Sequence, residues 1–258
     1  MQKFNEMIPQ WFYEDNLCLS LSNDIDSLMS CYYLTKYKGW DIQYFYDFDR
    51  LYRNIDFEPT ENNCIGVDVD LLEGRCIGNH LVNNSNKNCI NLNRFARVDN
   101  TNYYHKYAGS TILMVLSLLN IDINTFTEEQ QEILLCVDTT FKSYFFDENI
   151  AAYYIQDVLG YPELIAILKK HSKEYFYDIM SKYKLFEKIN MSNDGYLQTN
   201  IMLEELNEVF NIELQLPKSQ HGIIREFLQG KGKPAENMNV FSLAWTYKNN
   251  SIFSYYID

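Results

Sequence analysis

The stretch that decides the fold is LSLSNDIDSLMSCYYL, residues 19–34. It continues an apolar run that predicts a short buried strand over residues 17–21, and from Ile25 onward its apolar residues recur at helical spacing. Two carboxylates, Asp24 and Asp26, stand where the strand gives way to the helix. A helix cap needs only one of them to accept its free N–H groups. The other acid therefore requires a second explanation.

Composition restricts the classes of protein that this chain can be. With 258 residues, 47% of them hydrophobic, it predicts a folded protein with a substantial core. Its net charge of −13 argues against wrapping of long duplex nucleic acid, which needs a basic surface. There is no apolar run of membrane-spanning length and no signal-peptide pattern over residues 1–10, so we expect a cytoplasmic protein without membrane contact. The cysteines form no CxxC pair and are expected to be free thiols.

The first half of the chain alternates strand and helix patterns. After the opening strand and helix, strands are predicted over residues 40–46, 64–72 and 74–82, with a short charged helix over residues 49–54 and an Asn-rich loop over residues 83–93. Two amphipathic helices follow, within residues 104–120 and 127–140. This alternation predicts an α/β fold with a mostly parallel sheet flanked by helices.

The second half is mostly helical and then changes character. A long amphipathic stretch over residues 162–188 precedes a polar break near Gly195, and a helix over residues 202–210 leads to two terminal strands, NVFSLAWTY and SIFSYYI. We therefore expect one domain over residues 1–180 and a smaller C-terminal α+β domain over residues 195–258. The terminal hairpin is expected to form a separate small sheet that faces the site.

Several apolar segments end in a carboxylate or an imidazole. The first strand runs into Asp24 and Asp26, the third contains Asp68 and Asp70, and the fourth ends at Asn79 and His80, while an apolar helix runs into Asp138. Ligands collect outside the carboxyl ends of parallel strands, and clustered acids need a compensating cation. Oxygen ligands with one imidazole suit Mn²⁺ or Mg²⁺. The ordinary alternatives are a helix cap for Asp24, a solvated Asp70, a backbone-bonded His80 and a terminal cap for Asp138.

These segments, in this order, resemble the DHH phosphoesterase superfamily, which includes family II pyrophosphatases, exopolyphosphatases, oligoribonucleases and RecJ-type exonucleases. The resemblance is carried by Asp24-Ile25-Asp26-Ser27, IGVDVD (65–70), Asn79-His80, KYAGST (106–111) and Asp138-Thr139. It implies a DHH-type N-terminal domain. It also implies two Mn²⁺ or Mg²⁺ ions held by Asp24, Asp26, Asp68, His80 and Asp138, with Asp70 as a rival to Asp68.

The resemblance implies a metal-dependent phosphoesterase that hydrolyses a nucleotide, short oligonucleotide or cyclic dinucleotide through a metal-activated water. Asp68, Asn79 and His80 are the expected catalytic residues. The residues expected to hold the anionic part of the substrate are Lys106, Ser110, Arg94 and Arg97. Pyrophosphate or polyphosphate is an alternative substrate. Another alternative is a binding or interaction protein without turnover, because Ser20 replaces an early histidine of the family and Gly78 replaces a carboxylate.

Overall fold

The computed structural model describes residues 1–59, 63–82 and 86–257. Its strands are β1 (Cys18–Ser22), β2 (Asp41–Tyr46), β3 (Arg50–Asn54), β4 (Cys64–Val67), β5 (Arg75–Ile77), β6 (Cys89–Ile90), β7 (Ile189–Met191), β8 (Leu197–Thr199), β9 (His221–Lys231), β10 (Val240–Tyr247) and β11 (Asn250–Tyr256). Its α-helices are α1 (Ile25–Lys38), α2 (Leu92–Phe95), α3 (Thr111–Leu118), α4 (Glu128–Cys136), α5 (Phe141–Phe146), α6 (Glu148–Ala152), α7 (Pro162–Lys170), α8 (Lys173–Lys182) and α9 (Leu203–Phe210). Within these ranges, no helix is both long and apolar enough to cross a membrane.

One large mixed sheet organises the described chain, with the strand order β10-β11-β9-β3-β2-β1-β4-β5-β6. The strands from β2 to β6 in this order run parallel to one another. From β2 outward to β3, β9, β11 and β10, every pairing is antiparallel. The predicted α/β class is confirmed, whereas the sheet is mixed and not mostly parallel. A separate two-stranded sheet pairs β7 with β8.

The opening strand and helix form as the sequence predicts. All five residues of β1 are buried, which agrees with a central strand covered on both faces. Asp24 is the N-cap of α1 and its Oδ1 accepts a hydrogen bond from the Ser27 N–H at 3.2 Å. Gly39 ends the helix in the left-handed conformation, with φ of 70°, which glycine adopts without a steric penalty.

The terminal hairpin does not form a separate sheet, so that prediction was wrong. β11 pairs with β9, and β9 pairs with β3, so the hairpin extends the same sheet as β1. The sheet also curls, because β10 makes isolated bridges to the chain after β4 and after β5, at Leu71–Ser242 and Leu81–Trp245. The hairpin thereby reaches the rim where the parallel strands end.

The predicted division into two domains is not confirmed. The main hydrophobic core is continuous from Met1 to Leu214 and includes Leu206 and Phe210 of α9, beyond the expected boundary. Two smaller clusters lie beside it, and one of them packs Leu243 and Trp245 of β10 against Leu81 and Tyr103. The residues of the expected C-terminal domain therefore contribute to the same packed layers as the first half.

Two further expectations concern secondary structure. Residues 49–54 were expected to be a helix, but Arg50–Asn54 is strand β3, whose alternating side chains pair with β2. Strand β9 was not expected at all. Within the Asn-rich loop, Cys89–Ile90 forms β6 and Leu92–Phe95 forms α2. Residues 83–85 of that loop lie outside the described residues.

Candidate functional site

The site lies at the carboxyl ends of β1 and β4, where the order of the parallel strands reverses. From β1 the chain passes through α1 to β2 on one side, and β4 lies on the other side. A crevice at such a switch point is the usual ligand site of an open α/β sheet. Asp24 and Asp26 follow β1, and Asp68 follows β4 directly. Asp138 enters from the 3-10 turn Val137–Thr139 after α4. We call these four residues the acid cluster.

Asp26 binds the N-terminus of helix α3. The side chain is 1% exposed. Its Oδ2 accepts a hydrogen bond from the Thr111 N–H, and its Oδ1 accepts one from the Ile112 N–H, both at 2.7 Å. A carboxylate at this position satisfies two free amides and interacts favourably with the helix dipole. The second acid of the opening stretch therefore has a structural partner that lies 85 residues away in the sequence.

Asp68 is the other deeply buried acid of the cluster. It is 7% exposed, and its Oδ1 accepts a hydrogen bond from the Thr111 hydroxyl at 2.7 Å. Burial, followed by the charges of Asp24 and Asp138, raises its pKa well above the ordinary value. The pKa of Asp26 is likewise raised well above its ordinary value, by burial first and then by the charges of Asp68, Asp138 and Asp24. The acids of the cluster therefore oppose one another's ionisation.

The backbone is strained at two members of the cluster. Asp68 has φ of 57° and Asp138 has φ of 47°, followed by Thr139 at 54°. Left-handed conformations are costly for residues other than glycine, although aspartate tolerates them better than most residues. Strained backbone of this kind concentrates at functional sites, where surrounding structure maintains it. Both acids are therefore held in positions that the local sequence alone does not favour.

Asp70 lies apart from the acid cluster and orients His80. Its Oδ2 accepts a hydrogen bond from the His80 N–H at 3.0 Å and lies 3.5 Å from His80 Nδ1, while its Oδ1 accepts one from Asn91 Nδ2 at 2.6 Å. Burial acts to lower the pKa of His80, but Asp70 and the charges of Asp138 and Asp68 outweigh it and raise that pKa to about 9. Of the two rival acids, the geometry thus places Asp68 in the cluster and Asp70 beside the imidazole.

Asn79 and Lys188 connect the acids to neighbouring elements. Asn79 is buried, and its Nδ2 donates hydrogen bonds to Asp138 Oδ2 at 2.7 Å and to the Gly109 carbonyl at 2.9 Å. Lys188 Nζ lies 3.1 Å from Asp24 Oδ2, held there because the next residue, Ile189, donates its N–H to the Asn23 carbonyl. No sequence pattern indicated a site role for Lys188, because it lies at the end of a stretch expected to be helical.

The residues expected to bind substrate have separate positions. Lys106 lines a cavity beside Asp138. Ser110 is fully buried and its N–H donates to Thr140 Oγ1, so this amide is not free for a phosphate. The Arg94 Nη1–H donates a hydrogen bond to the Cys89 carbonyl, and the Arg97 side chain is exposed. Neither arginine is among the residues that line the cavity. The amides of Thr111 and Ile112 are likewise taken by Asp26.

The cavity beside the cluster has a volume of about 710 Å³. Its lining includes the polar residues Asn79, His80 and Asp138. Five aromatic residues also line it, and we call them the aromatic side of the cavity: Tyr103, Tyr104, Phe146, Trp245 and Tyr247. Lys106 and Lys142 line it as well. A larger depression of about 1070 Å³ lies between α1 and residues 211–219, and its lining includes no member of the acid cluster. Asp138 is the member of the acid cluster that lines the smaller cavity.

Among the described residues, no three of the expected metal ligands have ligand atoms that all lie within 4.8 Å of one another. In the described residues, three or more ligand atoms lie within 4.8 Å of one another only at Glu128, Glu132 and His171, on the opposite end of α4 from Asp138. There the His171 Nε2 lies 3.1 Å from Glu132 Oε1, and Lys170 also pairs with Glu128. The acid cluster interacts electrostatically, as the raised pKa values indicate, without this tight spacing.

No protein-family model, no curated protein and no solved structure matches this chain. The likeness to DHH phosphoesterases therefore remains an expectation from the motifs. Function has to be argued from the site itself.

Proposed function

We propose that this protein is a metal-dependent phosphoesterase that hydrolyses a small phosphate compound: a nucleotide, a short oligonucleotide or a cyclic dinucleotide. One observation carries the proposal. Asp26 and Asp68 are buried at the switch point of the sheet, and within the described residues neither forms an ion pair with lysine or arginine. The charges of His80 and Lys188 act on Asp68, but neither forms a salt bridge with it, and a divalent cation would offset the remaining cost of the buried acids.

The donor chemistry of the site fits Mn²⁺ or Mg²⁺. Asp24, Asp26, Asp68 and Asp138 offer carboxylate oxygens and His80 offers an imidazole. A carboxylate oxygen that accepts one hydrogen bond retains a second lone pair, so the contacts of Asp26 and Asp68 do not exhaust their capacity. No three of these donors all lie within 4.8 Å of one another in the described residues, so we include in the proposal a local side-chain rearrangement on metal binding.

The residues of the chain have distinct roles in the proposed reaction. A bound divalent ion supplies an activated water and neutralises charge on phosphate oxygens. His80, oriented by Asp70, is the proposed imidazole ligand of the ion, and Asn79 fixes Asp138 through its amide. Lys106, which lines the cavity, is the proposed partner of a phosphate oxygen. Pyrophosphate or polyphosphate is the other substrate class that the resemblance implies.

A second candidate function is binding without turnover. It is favoured by the structural partners of two acids, because Asp24 caps α1 and pairs with Lys188 while Asp26 binds the amides of α3. In that case the acids stabilise the fold and the cavity binds its ligand without metal. Metal uptake and hydrolysis separate the two candidates.

Asp68→Asn is the variant that tests the proposal most directly. Asparagine tolerates the left-handed backbone of this position, so the change removes charge with little strain. Wild type should bind Mn²⁺ in calorimetry and hydrolyse bis-p-nitrophenyl phosphate. We expect Asp68→Asn to lose hydrolysis by about a hundredfold or more, because a metal ligand is lost. Asp178→Asn, an exposed charge control, should match wild type.

The cluster at Glu128, Glu132 and His171 requires its own control, because it could also take up Mn²⁺. Glu132→Gln should leave hydrolysis unchanged. The proposal is contradicted if wild type shows no hydrolysis with Mn²⁺ or Mg²⁺, or if Asp68→Asn retains full activity.

A further inference from the structure

The aromatic side of the cavity presents three large rings to solvent. Tyr104, Phe146 and Tyr247 are 55%, 69% and 72% exposed. The rings of Tyr104 and Phe146 lie close to parallel, with centroids 6.0 Å apart and an interplanar angle of 27°. Exposed apolar side chains collected around a polar cavity are typical of a ligand site, since covering them recovers hydrophobic free energy. A flat ring of the ligand is the group that these surfaces fit.

Two residues that line the cavity each carry a buried polar atom with no hydrogen-bond partner among the described residues. One is the indole N–H of Trp245, a donor, and the other is Asn79 Oδ1, an acceptor. Trp245 is 9% exposed and Asn79 is 4% exposed. Leaving such groups unpaired costs free energy, so a ligand that supplies an acceptor and a donor is favoured once small side-chain shifts bring these buried atoms within its reach.

We infer that this aromatic side binds a nucleobase, and that the substrate is consequently a nucleotide ester, not pyrophosphate or polyphosphate. A nucleobase offers a face for stacking and an edge that carries both donors and acceptors. Pyrophosphate and polyphosphate offer neither a ring nor a stacking face. The assignment of a nucleotide ester as the substrate rests on the proposed function. Binding of the base can be measured without turnover.

The charges and the size of the cavity fit the rest of a nucleotide. Lys106 and Lys142 line it together with the rings, and Lys106 Nζ lies 4.7 Å from the centroid of Tyr103. Lys248 Nζ lies 5.2 Å from the centroid of Tyr104. These cations provide local partners for phosphate on a chain whose net charge is −13. A volume of about 710 Å³ is in the range of small-molecule sites, which favours one nucleotide unit over a long strand.

Binding of nucleoside monophosphates tests the inference. Calorimetry on the full chain would compare AMP, GMP, CMP and UMP with ribose 5-phosphate, which has the same sugar and phosphate without a base. We expect at least one of the four to bind about tenfold or more tightly than ribose 5-phosphate, because base stacking on aromatic side chains contributes that much. Phe146→Ala should weaken that nucleotide at least about fivefold and leave ribose 5-phosphate within about twofold.

Phe186→Ala is the matched control, because Phe186 is 57% exposed and is not among the cavity-lining residues. It should leave both affinities unchanged. The inference is overturned if none of the four nucleotides binds more tightly than ribose 5-phosphate, or if Phe146→Ala and Phe186→Ala behave alike. Base-dependent binding without metal-dependent hydrolysis would support the base site and contradict the phosphoesterase. Metal-dependent hydrolysis without any base preference would support the phosphoesterase and contradict the base site.

Discussion

Gly78 allows the close approach that fixes the loop carrying His80. A Cβ atom at this position would lie 2.4–2.6 Å from the carboxylate atoms of Asp70. Contacts this short do not occur between a real Cβ and its neighbours, so Asp70 would have to move. Gly78 was interpreted from the sequence as a lost carboxylate. The structure gives it a steric reason instead, because the carboxylate of Asp70 already occupies the space.

Gly78→Ala should therefore destabilise the protein. Overpacking of a closed site costs roughly 1–3 kcal/mol, and the carboxylate of Asp70 cannot yield without losing its hydrogen bonds to His80 and Asn91. Gly222→Ala is the control, since its Cβ would meet only Ile55 Cγ2 at 3.5 Å. Urea unfolding measures both variants. Equal stabilities for the two variants would contradict the steric explanation.

The residue-level predictions succeeded where the interaction is local. The cap formed by Asp24 joins it to Ser27, three residues away, and was weighed from the sequence. The contact between Asp26 and Thr111 spans 85 residues, and no local pattern indicates it. The position of Lys188 beside Asp24 spans 164 residues and was missed for the same reason. Local chemistry could be read from the sequence, whereas partners supplied by the tertiary fold could not.

At the scale of elements, helix α3 depends on an acid from another helix. Every residue from Thr111 to Leu118 is buried, and Ser110 provides no side-chain cap. The first two amides of the helix are satisfied by Asp26 instead. The cost of the buried acid is thus partly offset by the two hydrogen bonds and the helix dipole.

We expect Asp26→Asn to leave the free energy of unfolding in EDTA unchanged or to raise it by about 1 kcal/mol. Burial and the charges of Asp68, Asp138 and Asp24 raise the pKa of Asp26, so the fold disfavours its charge, and removing that charge offsets the loss of one of the two hydrogen bonds to helix α3. Asp24→Asn is the control, because asparagine caps as well as aspartate and the pair with Lys188 contributes little. Urea denaturation gives both values. A loss of about 1 kcal/mol or more in Asp26→Asn would mean that the helix contact outweighs repulsion within the acid cluster.

The elements that were predicted wrongly are those defined by distant pairing. Residues 49–54 carry two arginines and were interpreted as a charged helix, but Leu51 and Tyr52 alternate between faces and pair with β2 and β9. Strand β9 is largely exposed in its middle and shows no apolar run, so its strand character comes from its neighbours β3 and β11. By contrast, β1 and α1 have apolar patterns of their own, and α1 ends at Gly39. Both elements were predicted closely.

For the whole molecule, β9 joins the two halves of the chain into one sheet. It pairs with β3 on one side and β11 on the other, and β10 then returns to the chain beyond β4 and β5. The polar break near Gly195 indicated a boundary, but the chain on either side of it packs into the same core. Composition along the sequence cannot distinguish a linker from a surface loop within one folding unit.

The final prediction follows from this shared sheet: the hairpin and the helices should unfold together. In the double variant Trp11→Phe/Trp40→Phe, the remaining tryptophan is Trp245 of β10, so fluorescence reports on the hairpin. Far-UV circular dichroism of the same variant reports mainly on the helices. The two urea transitions should coincide, because strands and core cross the predicted boundary. Trp245→Phe is the control, in which fluorescence reports on Trp11 and Trp40 in the main core. A Trp245 transition at distinctly lower urea than the helical transition would instead support two domains that unfold independently.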